Sequence, residues 1–382
     1  MGVAQGHRLH LVPGPRGQGR GRAVGRRRGP PLQRRARPGG AGPCFPPAAQ
    51  GAPSGRRGAH RHPEGPAHGV LRPLRRAHPG DVLTVQTFLQ LFFSGLALGS
   101  IYALVALGFV VIYRASQVFN FAHGEFVMLG AFLMISLVRG GMWWIVALGV
   151  TMAVTGGVGM GIERVVLRPM IGRPVFVTVI VTIFVGALMR VAINVIWGVG
   201  ERGMPTPWDT TSVMEILGAR VLYNSVAAIL ATGLVLVGFY LLFQRSRIGI
   251  GMRATASDQE VALGLGIPVG RVFAFSWFLA GSLAALAGVF LGMFPRIVDG
   301  NIWLIALAAF PAVLIGGLES PLGAVIGGLA LGVVQLLAQG YVNPLLGAFG
   351  NNFHQVFPYV IMIGFLMFRP YGLFGTREVE RI

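Results

Sequence analysis

Apolar runs long enough to span a bilayer core recur from Gln86 to the end of the chain, separated by short polar stretches. A crossing takes about 20 helical residues. The pattern predicts spans near 86–112, 126–138, 142–162, 175–197, 222–243, 272–293, 301–318, 321–338 and 352–368. The second run is short for a full crossing. It follows the polar stretch VFNFAHGEFVML, Val118 to Leu129, so a broken or partly re-entrant segment is expected there.

Before Gln86 the pattern is different. Residues 1–82 are rich in Gly, Pro and Arg, show no helical or strand periodicity, and hold too little apolar surface to offset chain entropy. The segment is expected to be disordered. It carries 16 arginines against Glu64 and Asp81. A basic arm for nucleic acid or anionic lipid is one reading. A targeting peptide is another, but Arg26-Arg27-Arg28 is followed by GPPLQRRARPGG and not by an apolar region. The preferred reading is translated GC-rich DNA upstream of a true start near Val82 or Val85, with no nucleic-acid partner.

Composition agrees with the apolar pattern. The 382 residues are 53% hydrophobic with a mean hydropathy of +0.66, and 12% are charged. A soluble domain carries about a quarter charged residues, so the chain reads as an integral membrane protein. Cys44 is the only cysteine, which excludes an internal disulfide or a cysteine metal site.

Arginines in short loops set the expected orientation. Arg164, Arg168 and Arg173 follow the third run, Arg245, Arg247, Arg253 and Arg271 follow the fifth, and Arg369, Arg377 and Arg381 follow the last. These groups are expected in the cytoplasm, with the loop 198–220 and the N-terminus outside. Glycines four apart (Gly95/Gly99, Gly157/Gly161, Gly288/Gly292, Gly323/Gly327, Gly328/Gly332) predict close helix packing within one bundle.

Enzyme motifs are not found. The sequence has no G-x-x-x-x-G-K-[ST] loop, no H-E-x-x-H helix and no G-x-S-x-G elbow. No cofactor is expected. The polar residues around Gly124 raise other chemistry, because an ionisable group at membrane depth is by default a functional candidate. One His and one carboxylate are too few for a metal site, and a proton relay lacks partners. Asn120, His123 and Glu125 are expected to satisfy backbone groups at a helix break, with Gly124 taking a conformation other residues resist. Direct contact with a substrate stays open. Pro311 and the Gly316-Gly317 turn interrupt a later run. Breaks in both halves of a transporter mark its pathway, so Asn120, His123, Gly124, Glu125, Pro311, Gly316 and Gly317 are candidate pathway or helix-break residues.

The stretch QRSRIGIGMRATASDQEVALGLGIPVGRV, 244–272, is too long for a tight turn. Arg253 to Leu263 predicts a short helix with Ser257 or Asp258 as a cap, ended by Gly264, Gly266 and Pro268. Such a helix either lies in a groove on a partner or is a solvated interfacial helix.

That stretch resembles the cytoplasmic coupling loop of ABC permeases for branched-chain amino acids. Further motifs of that family follow in order: the glycine-rich first span GLALGSIYAL at Gly95 to Leu104, NFAHGEFVMLGA at Asn120 to Ala131, GGLESPLGAVIGG at Gly316 to Gly328, and RPYGLFG at Arg369 to Gly375. The resemblance runs from about 86 to 376 and is to the H-type subunit more than its M-type partner. It implies an all-α polytopic bundle of about 8–9 transmembrane helices, with broken or re-entrant segments and a cytoplasmic coupling helix, in a bacterial inner membrane. Residues 83–376 would form the permease domain and 377–382 a cytoplasmic tail. The implied partners are an M-type permease subunit, two cytoplasmic ATP-binding subunits that hydrolyse the ATP, and a periplasmic substrate-binding protein. Arg253, Ala254, Thr255, Asp258, Ala262, Gly264 and Ile267 would sit in the loop that contacts the ATPase. One departure is Glu319, where relatives commonly carry a small residue. A permease for urea or short amides, a stand-alone secondary transporter or channel, and an assembly subunit without a pathway remain open.

Overall fold

The computed structural model describes residues 85–375 other than Phe294. The expectations for 1–82, Cys44 and 377–382 lie outside the described residues. The described chain is built from helices: α1 (Val85–Ser116), α2 (His123–Arg139), α3 (Trp144–Ile162), α4 (Val175–Trp197), α5 (Tyr223–Arg245), α6 (Arg247–Ser257), α7 (Gln259–Gly264), α8 (Val269–Leu291), α9 (Ile305–Gly316), α10 (Pro321–Leu337), the single turn α11 (Asn343–Leu345) and α12 (Phe353–Phe368). Among the described residues, six helical stretches are long and apolar enough to cross a membrane: those starting at Val85, Trp144, Val175, Tyr223, Val269 and Pro321. The stretches Ile302–Gly316 and Phe353–Phe368 are shorter and also apolar. Each predicted run thus meets a helix, and the all-α polytopic reading holds.

One small addition breaks the helical text. Strands β1 (Val213–Ile216) and β2 (Ala219–Leu222) pair antiparallel, with Ile216 opposite Ala219. Leu217 and Gly218 form the two-residue turn, at φ 51° and 80°. Positive φ at both positions gives the turn whose twist matches the flanking strands.

The core forms around α1, which is buried along most of its length, whereas α3, α4 and α5 expose most of theirs. Apolar solvent supplies no hydrophobic drive between helices, so close backbone contact must do the work. Helices α1 and α10 meet on bare backbone. A Cβ at Gly99 would sit 2.7 Å from the Leu329 carbonyl oxygen, and one at Gly328 would sit 2.5 Å from the Ala103 nitrogen. Gly156, Gly159 and Gly281 bring α3 against α8 in the same way. Gly157 and Gly161, expected to pack within the bundle, instead face outward with nothing within 4 Å. Buried Gly156 and Gly159 alternate with them, so the contacting stripe on α3 runs through a different pair, three residues apart.

The polar connections close the helix ends. Gln117 takes φ 55° and ends α1, and the chain re-enters helix at His123. Glu163 is buried and pairs with Arg168 at 3.0 Å, and Arg168 also donates to the Gly270 carbonyl at 2.6 Å, tying the end of α3 to the start of α8. The Leu373 and Phe374 N–H groups donate to Ile315 O and Gly316 O at 2.8 and 3.2 Å. The RPYGLFG segment therefore satisfies carbonyls left over at the end of α9.

Gly99→Ala is expected to cost about 1–3 kcal/mol through overpacking of α1 on α10. Gly157→Ala is expected to be neutral or to stabilise by up to about 1 kcal/mol through helix propensity. Thermal unfolding of the purified chain in detergent compares the two.

Candidate functional site

The break between α1 and α2 carries the polar residues singled out in the sequence, and all are buried. Asn120 Oδ1 accepts the Ala122 N–H at 3.0 Å, and the Asn120 carbonyl accepts the His123 N–H at 3.3 Å. Thr182 of α4 bridges the same loop, accepting the Phe121 N–H at 3.2 Å. Asn120 thus satisfies freed backbone. His123 does not. Its ring is completely buried beside Phe109, 4.6 Å between centroids, fills the space left by Gly108, and touches the Val105 backbone without a well-formed hydrogen bond.

Gly124 lies inside α2 without a positive φ, which corrects the expectation of an unusual conformation. What it supplies is approach: a Cβ there would strike the Trp303 carbonyl. The left-handed residue of the break is Gln117.

Glu125 does not serve the backbone with its side chain either. It is 1% exposed and forms an ion pair with Arg190 of α4. Gly186 makes room for the carboxylate, and the Arg190 guanidinium stacks 3.4 Å over the Trp303 ring. Arg190 stands seven residues, about 10 Å of helix, from the end of α4. Glu125 Oε2, Arg190 Nε, Asn194 Oδ1 and Asn120 Nδ2 are buried without a hydrogen-bond partner among the described residues. Sequence reasoning missed Arg190. Its signal was a lone cation in one apolar run facing a lone anion in another.

Pro311 is buried inside α9 and does not break it, contrary to expectation. The interruption lies upstream, between Gly292 and Leu304, and downstream at Gly317, where φ is 101°. Gly316 touches the Gly323 backbone and Gly317 the Gly375 backbone, so both residues serve the turn into α10.

The predicted single helix over 253–263 is two helices. Ser246 caps α6 by accepting from Gly249 N at 2.9 Å. Asp258 ends α6 and caps α7, its Oδ1 accepting from Glu260 N and Val261 N at 2.8 and 2.9 Å. Of the loop residues named above, Asp258 and Gly264 are exposed, Ala254 and Ile267 half-buried, and Thr255 and Ala262 buried against the bundle. Arg253 turns inward and donates to the Phe243 carbonyl. Its guanidinium and that of Arg114 lie 5.4 and 5.0 Å from the Phe243 ring centroid. The outward face of α7 is instead formed by Val261, Leu263 and the following Leu265, each more than half exposed.

Two large cavities open in the described structure. One of about 640 Å3 lies at the arginine-rich end, lined by Arg114, Gln117, Tyr240, Ser257, Glu319 and Val325 among others. Glu319 is within electrostatic reach of Arg114 there. The other, about 720 Å3, is lined by α1, α9, α10 and α12 and by the segment after α8. Asn120, His123 and Pro311 line neither.

Arg190→Met is expected to destabilise the chain by about 3 kcal/mol, because it leaves the Glu125 carboxylate buried without its cation. Glu125→Met combined with Arg190→Met is expected to recover most of that loss. Thermal unfolding of the two single variants and the double variant measures the coupling.

Comparison with known proteins follows the geometry. A family model described as "Branched-chain amino acid transport system / permease component" matches residues 91–366. The high-affinity branched-chain amino acid transport system permease protein BraD of Pseudomonas aeruginosa is 31% identical over 308 residues, covering 77% of this chain and 98% of that protein. The corresponding LivH protein of Escherichia coli is 30% identical with the same coverage. A probable branched-chain amino acid transport permease protein LivH of Methanocaldococcus jannaschii is 31% identical over 293 residues, 73% of this chain and 90% of that protein. The matched region contains the α1–α10 contact, the polar break before α2 and the α6–α7 pair. The chain belongs to the permease component family of branched-chain amino acid transport systems.

Proposed function

We propose that the chain is one permease subunit of a binding-protein-dependent ABC importer for leucine, isoleucine and valine in a bacterial inner membrane. It forms half of the pathway together with an M-type permease subunit. Two cytoplasmic ATP-binding subunits and a periplasmic substrate-binding protein complete the assembly. The arginine-rich end, with α6 and α7, faces the cytoplasm.

The single observation that carries this reading is the capped helix pair α6–α7, which presents Val261, Leu263 and Leu265 outward at the arginine-rich end. Exposed apolar side chains on a rigid short helix suit a groove on a partner. The family match and the printed roles of BraD and LivH supply the transport class and the substrate class. In the cycle, closure of the ATPases pushes α7. Arg253 and Arg114, which share the Phe243 ring, carry that displacement to α5 and α1. Nucleotide shifts the equilibrium only as far as its affinities for the two states differ.

The test is Gly264→Arg. A side chain at Gly264 meets open space, so the fold is expected to persist. Co-purification of the ATP-binding subunits and leucine uptake are both expected to be lost. If association and uptake both survive, the loop assignment is wrong. Leucine uptake by the chain without any ATP-binding subunit would show a stand-alone transporter instead.

A further inference from the structure

The cavity of about 720 Å3 is unusual in its chemistry. Its walls carry Arg296, Asp299, Tyr102, Gln335, Gln339 and His354, with Leu98, Leu291, Ile302, Ile305 and Leu336 supplying apolar surface between them. Only Arg296 and Asp299 among the lining residues are formally charged at neutral pH, and they are of opposite sign. Arg296 forms no ion pair among the described residues. It also lines a smaller adjoining cavity of about 370 Å3, so the residue borders two open spaces.

The scaffold around this group is fixed. Arg202 and Val298 exchange backbone hydrogen bonds of 2.8 and 2.9 Å, which pins the segment carrying Arg296. At the α1–α10 wall, buried Tyr102 donates its hydroxyl to Gln335 Oε1 at 2.7 Å. Asn343 holds His354, its Nδ2 2.8 Å from the ring Nδ1 and its Oδ1 accepting the His354 N–H at 3.1 Å. Both Tyr102 and His354 lie within electrostatic reach of Arg296. Pro311 removes one donor from α9. A proline cannot donate to the carbonyl four residues back, and that carbonyl belongs to Leu307, which lines the same cavity.

A neutral amide can accept a hydrogen bond from a guanidinium but brings no negative charge to pair with it. A zwitterion with an aliphatic side chain uses the guanidinium, the Asp299 carboxylate and the apolar wall. We propose that this cavity is a substrate-receiving site for an α-amino acid with an aliphatic side chain. Arg296 takes the carboxylate in charge-assisted hydrogen bonds. Asp299, whose oxygens also accept from Asn301 N and Nδ2 at 3.1 and 3.3 Å, takes the ammonium, and Leu98, Leu291 and Leu336 meet the side chain. The site deepens the importer reading and rests on it. It gives this chain its own discrimination against uncharged amides, apart from that of any delivering protein.

The experiment uses the complete transporter in proteoliposomes, with the binding protein, ATP and radiolabelled leucine. Wild type that transports no leucine would refute the importer reading itself. With wild type active, Arg296→Gln is expected to lower leucine uptake about tenfold or more, the scale of a lost charged hydrogen bond. Assembly with the ATP-binding subunits is expected to be kept, and Arg296→Lys is expected to recover part of the uptake. Gln339→Glu is a second, near-isosteric variant that offers Arg296 a competing carboxylate from the cavity wall. It is expected to lower uptake while the guanidinium stays in place, and it decides the matter if Arg296→Gln fails to assemble. Wild-type uptake by both variants, or by Gln339→Glu when Arg296→Gln does not assemble, would overturn the proposal.

Discussion

The contact between α1 and α10 is backbone against backbone, and the positions of the other functional features depend on it. Gly95 and Gly99 on one helix and Gly328 and Gly332 on the other leave no room for a single added carbon. In an apolar solvent this closeness gives dispersion and interhelical contact what burial gives in water. The helix pair then organises both ends. Toward one end, α1 delivers Arg114 to the Phe243 ring and α10 starts two residues after Glu319. Toward the other, Tyr102 and Gln335 meet across the same contact and form part of a cavity wall.

Polar groups inside the bundle follow a second constraint, the cost of burying them without a partner. The structure meets it for the groups below at one or more atoms while leaving others, such as Glu125 Oε2 and Arg190 Nε, unpaired among the described residues. The loop at 117–122 meets it through Asn120 and Thr182, and the end of α9 meets it through Leu373 and Phe374. Glu125 and Arg190 meet it by pairing, with Trp303 covering the guanidinium. Trp303 also contacts Gly124 through its carbonyl, so one residue fixes both the entry of α2 and the position of the cation. The buried pair links α2, α4 and the turn before α9, three parts of the chain far apart in sequence.

The helices were legible in the sequence because nine apolar runs are long and the polar stretches between them are distinct. Their faces were not. Lipid-facing and core-facing positions are equally apolar, so hydrophobicity does not report which side of α3 is buried, and Gly157/Gly161 looked as plausible as the truly packed Gly156 and Gly159. The candidate site was visible where a polar residue stood alone, as with Asn120, His123 and Glu125. Arg190 and Arg296 escaped because their meaning comes from partners or space supplied by other helices. Gly124 was read correctly as special and wrongly as to cause, since a glycine demanded by close approach and one demanded by φ look the same in text. The β1–β2 hairpin escaped because four-residue strands carry too few positions to show alternation.

The arrangement of the cavities constrains any transport cycle through this chain. Tyr102 lines the polar cavity and Leu107 the one at the arginine-rich end, so about 8 Å of α1 separates the two linings along the helix. That interval is the part of α1 packed against α10 at Ala103 and Gly328, where the backbones have no slack. A local side-chain movement cannot open such a contact, because close-packed interfaces shift between discrete arrangements and do not stretch. Passage between the cavities therefore requires neighbouring helices to move as units around α1 and α10. The lightly buried α5, which carries Phe243 in its last turn beside Arg253 of α6, is placed to be the element that moves, since most of its surface faces away from the bundle. A displacement that begins at α7 would then reach the cavity at the arginine-rich end, lined by Tyr240 and Phe243, before it disturbs the glycine contact at all.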